Sequence, residues 1–156
     1  MHAKVTALTV YAAKGEAGKP QTAIRLEKDC GVEGDFHQGG DKQVSLLSAE
    51  ARPWMEAQSL RGLCFDRYKE NILIEGLSEE NLKSGDLFSA GKAILRVSGA
   101  GKECFQECPL YSRGSRCLLA EGALFANVEE SGYVQVGDAA KPMSASRFQR
   151  FLAKRL

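Results

Sequence analysis

Histidine is nearly absent from this chain of 156 residues: His2 and His37 are the only two. A four-ligand zinc site built on Cys104 and Cys108 needs a second matched cysteine pair or a downstream histidine, and the sequence has neither. Long apolar runs are also missing. No stretch approaches the ~18 to 20 residues that cross a bilayer, and Met1-His2-Ala3-Lys4-Val5 is not followed by the apolar segment of a signal peptide. The expectation is a cytoplasmic protein with no membrane partner. Neither sign of charge is in excess, with 21 Lys and Arg against 20 Asp and Glu. That balance removes the electrostatic argument for nucleic acid and leaves a small molecule or another protein as the expected partner. The spacings of a GxGxxG fingerprint and of a Walker loop are absent as well.

What remains is 44% hydrophobic and 26% charged, the composition of one globular domain with a single core. Five cysteines, at 30, 64, 104, 108 and 117, are an odd number in a chain large enough to fold without staples, so reduced thiols are expected.

Along the chain, Lys4 to Val10 reads as a first strand, and the glycine- and lysine-rich stretch Ala12 to Pro20 reads as an exposed hairpin connection returning as a strand over Thr22 to Glu27. Gln43 to Leu47 is an expected buried strand. Ser48 is an expected helix cap, and Pro53 moves the start of that helix toward Arg52 or bends it there, with the helix running toward Ser59 and Gly62 stopping it. An apolar core at Ile72 to Ile74 ends at Gly76; Leu87-Phe88, Ala93 to Val97 and Gly132 to Val136 follow, separated by glycine turns. Short strands with little helix between them predict an antiparallel or mixed β-barrel. Ser144 to Leu156 places Phe148, Phe151, Leu152 and Leu156 at helical spacing, with Arg147, Arg150, Lys154 and Arg155 on other faces. This is an amphipathic C-terminal helix that packs on its own barrel or meets a partner.

Two stretches carry chemistry. Gly99 to Tyr111 sets Cys104 and Cys108 four residues apart in a glycine-led loop, with Lys102 just before the first thiol and Pro109 just after the second. A nearby cation and a loop position favour a reachable thiolate, so Cys104 is the expected reactive group, with Lys102 favouring its anion. Gly31 to Gln43 holds four glycines. Their density lets the backbone approach a ligand, while His37, Lys42 and Gln43 offer donors to anionic or polar atoms.

Five separated blocks, EGDFHQGGDKQVSLL at Glu33 to Leu47, YKENILIEGL at Tyr68 to Leu77, LKSGD at Leu82 to Asp86, GKECFQEC at Gly101 to Cys108 and EGALFANVEESGYVQVGD at Glu121 to Asp138, resemble in order the MOSC domain, named for the C-terminal domain of molybdenum cofactor sulfurases. The resemblance, over roughly Lys4 to Lys141, implies a mainly β fold: a closed or partly open barrel like the pyruvate kinase β-barrel domain, assigned to residues 1–143 with a few short helices; the amphipathic helix over 144–156 is an extension beyond the family barrel. It implies that Cys104 is the essential thiol, ligating molybdenum or carrying a persulfide, and that Cys108 matches a second cysteine of short stand-alone members. Gly34, Asp35, His37 and Gln43 fall in the first block and Asn71 in the second, where the family's polar pocket residues lie. The run Phe36 to Lys42 departs from members that carry an arginine or tryptophan there.

Two mechanisms follow from the resemblance. As a sulfur carrier, Cys104 takes sulfane sulfur from a donor such as a cysteine desulfurase, and Cys108 resolves the persulfide or forms a disulfide. As a cofactor binder, Cys104 ligates the molybdenum of a molybdopterin whose phosphate is held by the glycine loop, His37, Lys42 and Arg116; such a species reduces N-hydroxylated compounds with electrons from a partner. A non-catalytic module that docks cofactor or a biosynthetic enzyme, or a redox switch, is the third reading. Pyridoxal phosphate is not expected in this chain alone, an oligomer is open, and Cys30, Cys64 and Cys117 are expected to be replaceable one at a time.

Overall fold

A computed structural model describes residues 3–114 and 116–154. The strands are β1 (Ala3–Val10), β2 (Lys19–Gln21), β3 (Ala23–Glu27), β4 (Gly31–Val32), β5 (Val44–Ser48), β6 (Ile72–Glu75), β7 (Leu87–Ala90), β8 (Ala93–Ala100), β9 (Ala123–Glu130), β10 (Gly132–Gln135) and β11 (Ala139–Met143). The helices are α1 (Ala51–Ala57), α2 (Pro109–Ser112), α3 (Leu118–Gly122) and α4 (Ala145–Ala153). One sheet runs β11-β7-β8-β9-β5-β6-β1 and returns through a β1–β11 pairing, which closes it into a barrel. All its ladders are antiparallel except β5–β6. The predicted mainly β barrel is what the chain forms.

Burial follows the pleat. On β1, Ala3 and Val5 point inward, and a register shift between Val5 and Ala7 makes Leu8, not Ala7, the next buried residue. Every residue of β5 is buried, because the strand is covered on both faces. Leu46 joins the barrel interior with Ile72, Phe88, Leu95 and Val128, while Leu47 joins an outer layer with Met55, Phe65, Cys108 and Leu119. That outer layer is where α1, α2 and α3 lie against the barrel, and it carries the cysteine loop.

Local readings needed three adjustments. The strand over Ala23–Glu27 exists, but it pairs with β10 and β4 in a separate three-stranded sheet; the return of the first hairpin is the shorter Lys19–Gln21. Ser48 does not cap α1. Glu50 holds the cap position without a side-chain cap bond, and Ser48 donates to the Glu50 carboxylate and accepts from Ser78 Oγ at 3.0 Å. Pro53 sits in the first turn of α1, where its missing N–H removes no helical bond.

The C-terminal helix packs on its own barrel. Phe148 is buried with Leu87 and Ile94, flanked by Met143, Phe151 and Leu152, and Ser144 Oγ caps the helix by accepting from Arg147 N at 3.1 Å. Arg155 and Leu156 of the predicted amphipathic pattern lie outside the described residues. Among the described residues, no helix is long and apolar enough to cross a membrane.

Candidate functional site

The glycine loop between β4 and β5 is fixed from beneath by one carboxylate. Asp35 is 4% exposed, and its Oδ1 accepts from Tyr11 N at 2.7 Å and Asn71 Nδ2 at 2.9 Å. Its Oδ2 accepts from His37 N at 3.0 Å and meets His37 Nδ1 at 2.8 Å. Burial alone pushes the Asp35 pKa up, but the His37 side chain and the N–H groups of Tyr11 and His37 outweigh it and hold the acid below its ordinary value. Asn71 is equally committed: its Oδ1 accepts from Ser45 N at 3.1 Å and its Nδ2 also donates to Thr9 O at 3.1 Å. One amide thus ties β1, β5 and the glycine loop together just before β6.

All four glycines of this loop take positive φ, and at two of them the reason is visible. Gly31 has φ of +132°, and a Cβ there would lie 2.7 Å from Gln43 O; Gly34 turns the chain into Asp35 with φ of +85°. Gln43 is buried, and its Oε1 accepts from Val128 N at 3.0 Å, so its side chain serves the barrel wall.

The opposite wall is the loop Phe65–Glu70, held by Arg52 of α1. Arg52 donates to Glu70 Oε1 at 2.7 Å and pairs with Glu70 Oε2, and it donates to the carbonyls of Phe65 (3.2 Å) and Tyr68 (3.0 Å). Tyr68 donates its hydroxyl to Leu46 O at 2.6 Å; burial foremost pushes its phenol far above the ordinary range. Tyr11 is likewise pushed up, to about 12, by burial and then by Glu70. Both phenols stay neutral donors.

These walls enclose a cleft of about 330 Å³ lined by His37, Lys42, Ser45, Cys64, Arg67, Tyr68, Lys69, Lys102, Phe105 and Phe125. That volume lies at the lower end of small-molecule sites. Four of its lining side chains are lysine or arginine and none is a carboxylate. Lys42 Nζ stands 4.7 Å over the Phe125 ring and Lys102 Nζ 5.1 Å over Phe105. Aromatic faces place these cations without neutralising them, which leaves their charge to an anionic guest.

Against this cleft lies a smaller apolar pocket of about 20 Å³, sharing Cys64, Lys102 and Phe105 with it and lined also by Cys104, Cys108 and Cys117. The two thiols of the predicted pair differ. Cys104 is exposed; burial first, and then Cys117, Cys108 and Cys64, push its pKa up, with Lys102 only a minor opposing influence. The expected depression of the Cys104 pKa by Lys102 is therefore reversed, because burial, reinforced by the neighbouring thiols, disfavours the thiolate more than Lys102 favours it. Cys108 is 8% exposed; burial would raise it, but N–H groups of Leu63, Tyr111 and Leu110 bring it below its ordinary value, and its Sγ accepts from Leu63 N at 3.4 Å.

Of the predicted site residues, the structure brings His37, Lys42 and Lys102 to the cleft and sets Cys104 and Cys108 in the pocket beside it. Gly34, Asp35, Gln43 and Asn71 lie behind the cleft and shape its wall. Arg116 is elsewhere: it forms an ion pair with Glu121 Oε2 at 2.7 Å and lines a separate cleft with Ser48, Glu50 and Glu79. Arg67 and Lys69 were not singled out in the sequence, although both flank Tyr68 at the start of the second block of the resemblance. Cys64 reaches the thiol pocket from a distant loop and Cys117 from the head of α3, and no ligand-type spacing marks either.

Among the described residues, no three His, Cys, Asp or Glu side chains are arranged to hold a metal ion by themselves. A metal delivered on an organic cofactor asks less of the protein: one soft thiolate and a cradle for the carrier.

A closed β-barrel with a cationic cleft opening beside a loop thiol defines the class of this protein. The MOSC domain matches residues 33–141, and the chain belongs to that family, a molybdenum-cofactor-related one. It is 37% identical over 68 residues to the uncharacterized protein YflK of Bacillus subtilis, over 44% of this chain and 31% of that protein. It is 29% identical over 118 residues to the protein YiiM of Escherichia coli, over 62% of this chain and 52% of that protein. This chain therefore matches about half or less of the length of those relatives. The crystal structure of the YUAD protein of Bacillus subtilis shares the fold, with a TM-score of 0.63 at 20% identity over 91% of this chain and 96% of that one.

Proposed function

We propose that this protein binds molybdenum cofactor, with Cys104 as the thiolate ligand to the metal and the cleft beside it holding the anionic pterin carrier. The observation that carries this reading is the carboxylate-free cleft in which Lys42, Arg67, Lys69 and Lys102 converge, sharing Lys102 with the pocket of Cys104. Phosphate oxygens take charge-assisted hydrogen bonds from such side chains, and Tyr68 and Ser45 add neutral polar groups to the lining. His37 is positioned by Asp35, which keeps Nδ1 engaged and leaves Nε2 as the ring's remaining polar atom. When bound, the cofactor supplies oxygen-atom or sulfur chemistry at molybdenum; the chain itself supplies one soft ligand, the anion cradle and the apolar shelter of Phe105 and Phe125. Reduction of N-hydroxylated compounds, with electrons from a partner protein, is the activity we assign to the loaded form.

Sulfane-sulfur carriage is the second reading, and it is favoured by the exposure of Cys104 among other thiols. A persulfide formed there would be handed on by thiol exchange after loading from a donor such as a cysteine desulfurase.

Anaerobic loading with free molybdopterin cofactor, followed by desalting and assay of molybdenum and pterin, separates the two. Stoichiometric retention by the native chain, loss in Cys104→Ala, and about a tenfold or larger weakening in Lys42→Glu, the cost of turning a charge-assisted contact into a repulsive one, are expected. Absence of retention by the fully reduced native chain would sink the cofactor reading and move the assignment to persulfide carriage.

A further inference from the structure

Four of the five cysteines meet at one place. Cys64, the Cys104 and Cys108 pair of one loop, and Cys117 at the head of α3 all line the apolar pocket of about 20 Å³. A space of that size holds about one water, so little bulk solvent separates the residues around it. Their surroundings are unequal. Cys108 is anchored: it is buried, its sulfur accepts from Leu63 N, and its own N–H donates to Phe105 O at 3.0 Å. Cys64 sits in a turn whose carbonyl accepts from both Arg67 N (3.1 Å) and Tyr68 N (3.0 Å), which holds it against the Arg52-braced wall. Cys104 is exposed and Cys117 half-buried at the head of α3.

The backbone couples those last two. Gly101 N donates to Ala123 O at 2.8 Å and Lys102 N to Ala120 O at 2.9 Å, so the segment leading into Cys104 hangs from the helix that begins just after Cys117. Glu121 N donates to Cys117 O at 3.1 Å and closes the same unit. Among the described residues neither sulfur has a hydrogen bond to give up on reaching the other, whereas pairing with Cys108 would give up the Leu63 contact.

We propose that Cys104 and Cys117 form a reversible intramolecular disulfide when the site meets a peroxide, making Cys117 the resolving thiol that protects the reactive one. The step balances as follows. The Cys104 thiolate attacks one peroxide oxygen, the O–O bond breaks, and hydroxide leaves, giving a sulfenic acid. The Cys117 thiolate attacks that sulfur, the S–O bond breaks, and the departing hydroxide is protonated to water. Two thiols and one hydrogen peroxide yield one disulfide and two waters, with both electrons coming from the sulfurs. Dithiothreitol returns both thiols. The proposal rests on the functional reading only in taking Cys104 as the reactive group, and Cys117 stays outside the cofactor cradle.

The test uses the full, reduced chain treated with one to a few equivalents of hydrogen peroxide, alkylated, and digested with trypsin plus a glutamate-specific protease. Cleavage after Glu107 separates Cys104 from Cys108, so mass spectrometry reads the partner directly in the native chain. The expected product links the Cys104 peptide to the peptide that begins at Cys117. It persists in Cys108→Ser and Cys64→Ser. In Cys117→Ser it is lost, and several-fold more Cys104 carries two oxygens that dithiothreitol does not remove. A Cys104–Cys108 linkage as the main product, or sulfinic acid at Cys104 without any disulfide in the native chain, overturns the proposal. Molybdenum retention by the untreated reduced chain is scored separately, so failure of cofactor binding and failure of the disulfide give different results.

Discussion

The cleft has two sides built on opposite principles. Its glycine-loop side is held by buried polar groups with every bond assigned: Asp35 accepts from Tyr11, His37 and Asn71, and Asn71 joins Thr9 and Ser45. Its cysteine side is held by a few backbone bonds to α3 and by apolar contact, with Phe105 48% exposed and Tyr111 on the surface. A buried carboxylate is stable only when fully bonded, so the first side is rigid by necessity. Thiols carry no such demand. The second side is free to adjust around a guest or to change its own covalent state.

The largest expected effect tests that contrast on the polar side. Asn71→Ala removes the acceptor for Ser45 N and the donor to Thr9 O and Asp35, leaving buried groups unpaired; a loss of about 3 to 5 kcal/mol in urea unfolding is expected. A loss under 1 kcal/mol would mean that water replaces the amide and that the wall is not rigid. Acid should act on the same network. Asp35 has its pKa lowered in the folded state, so its stabilising contribution is complete above the unfolded-state value near 3.8 and is lost as pH falls through the lower folded value. Unfolding midpoints measured from pH 5 down to pH 2 should fall more steeply for the native chain than for Asp35→Asn, whose curve starts lower and runs flatter.

The two sides also differ in how well the sequence announced them. Glycine density, alternating strands and the resemblance located the barrel, the glycine loop and the thiol pair, because those signals are local in the chain. The pairing of Ala23–Glu27 with β10 was not legible, since either edge of β1 offered a partner and the choice is made by closure of the barrel. Asp35 and Asn71 looked like ligand contacts because the resemblance places the family's polar pocket residues in their two blocks, and a polar side chain there suits a ligand as well as a scaffold. Only their burial distinguishes the two. Lys102 looked like the group that sets the reactivity of Cys104, but the burial of that thiol and the approach of Cys64 and Cys117 were not legible in the chain, and burial foremost turns the shift upward.

On the cysteine side the stability effects shrink. Cys108→Ser exchanges a buried sulfur, seated on Leu63 N within the outer apolar layer, for a smaller and more polar oxygen; about 1 to 2 kcal/mol is expected in the same urea experiment. Equal values for Cys108→Ser and Cys104→Ser would erase the distinction between an anchored thiol and a free one.

Cys104→Ser is the smallest of these in stability and the most informative in function. An exposed loop side chain outside the apolar layers contributes little to folding, so the change should fall within about 0.5 kcal/mol of the native chain. Retention of molybdenum should nevertheless be lost, because an alcohol is a poor ligand for a soft metal site at neutral pH. The pH dependence sharpens the point. Ligation requires the thiolate, and the Cys104 pKa lies above the ordinary thiol value of 9.0, so retention by the native chain should weaken continuously as pH falls from 9 to 6. One proton per ligand sets the slope at about tenfold in affinity per pH unit. A flat profile over that range would mean that the thiol beside the cleft is not the ligand.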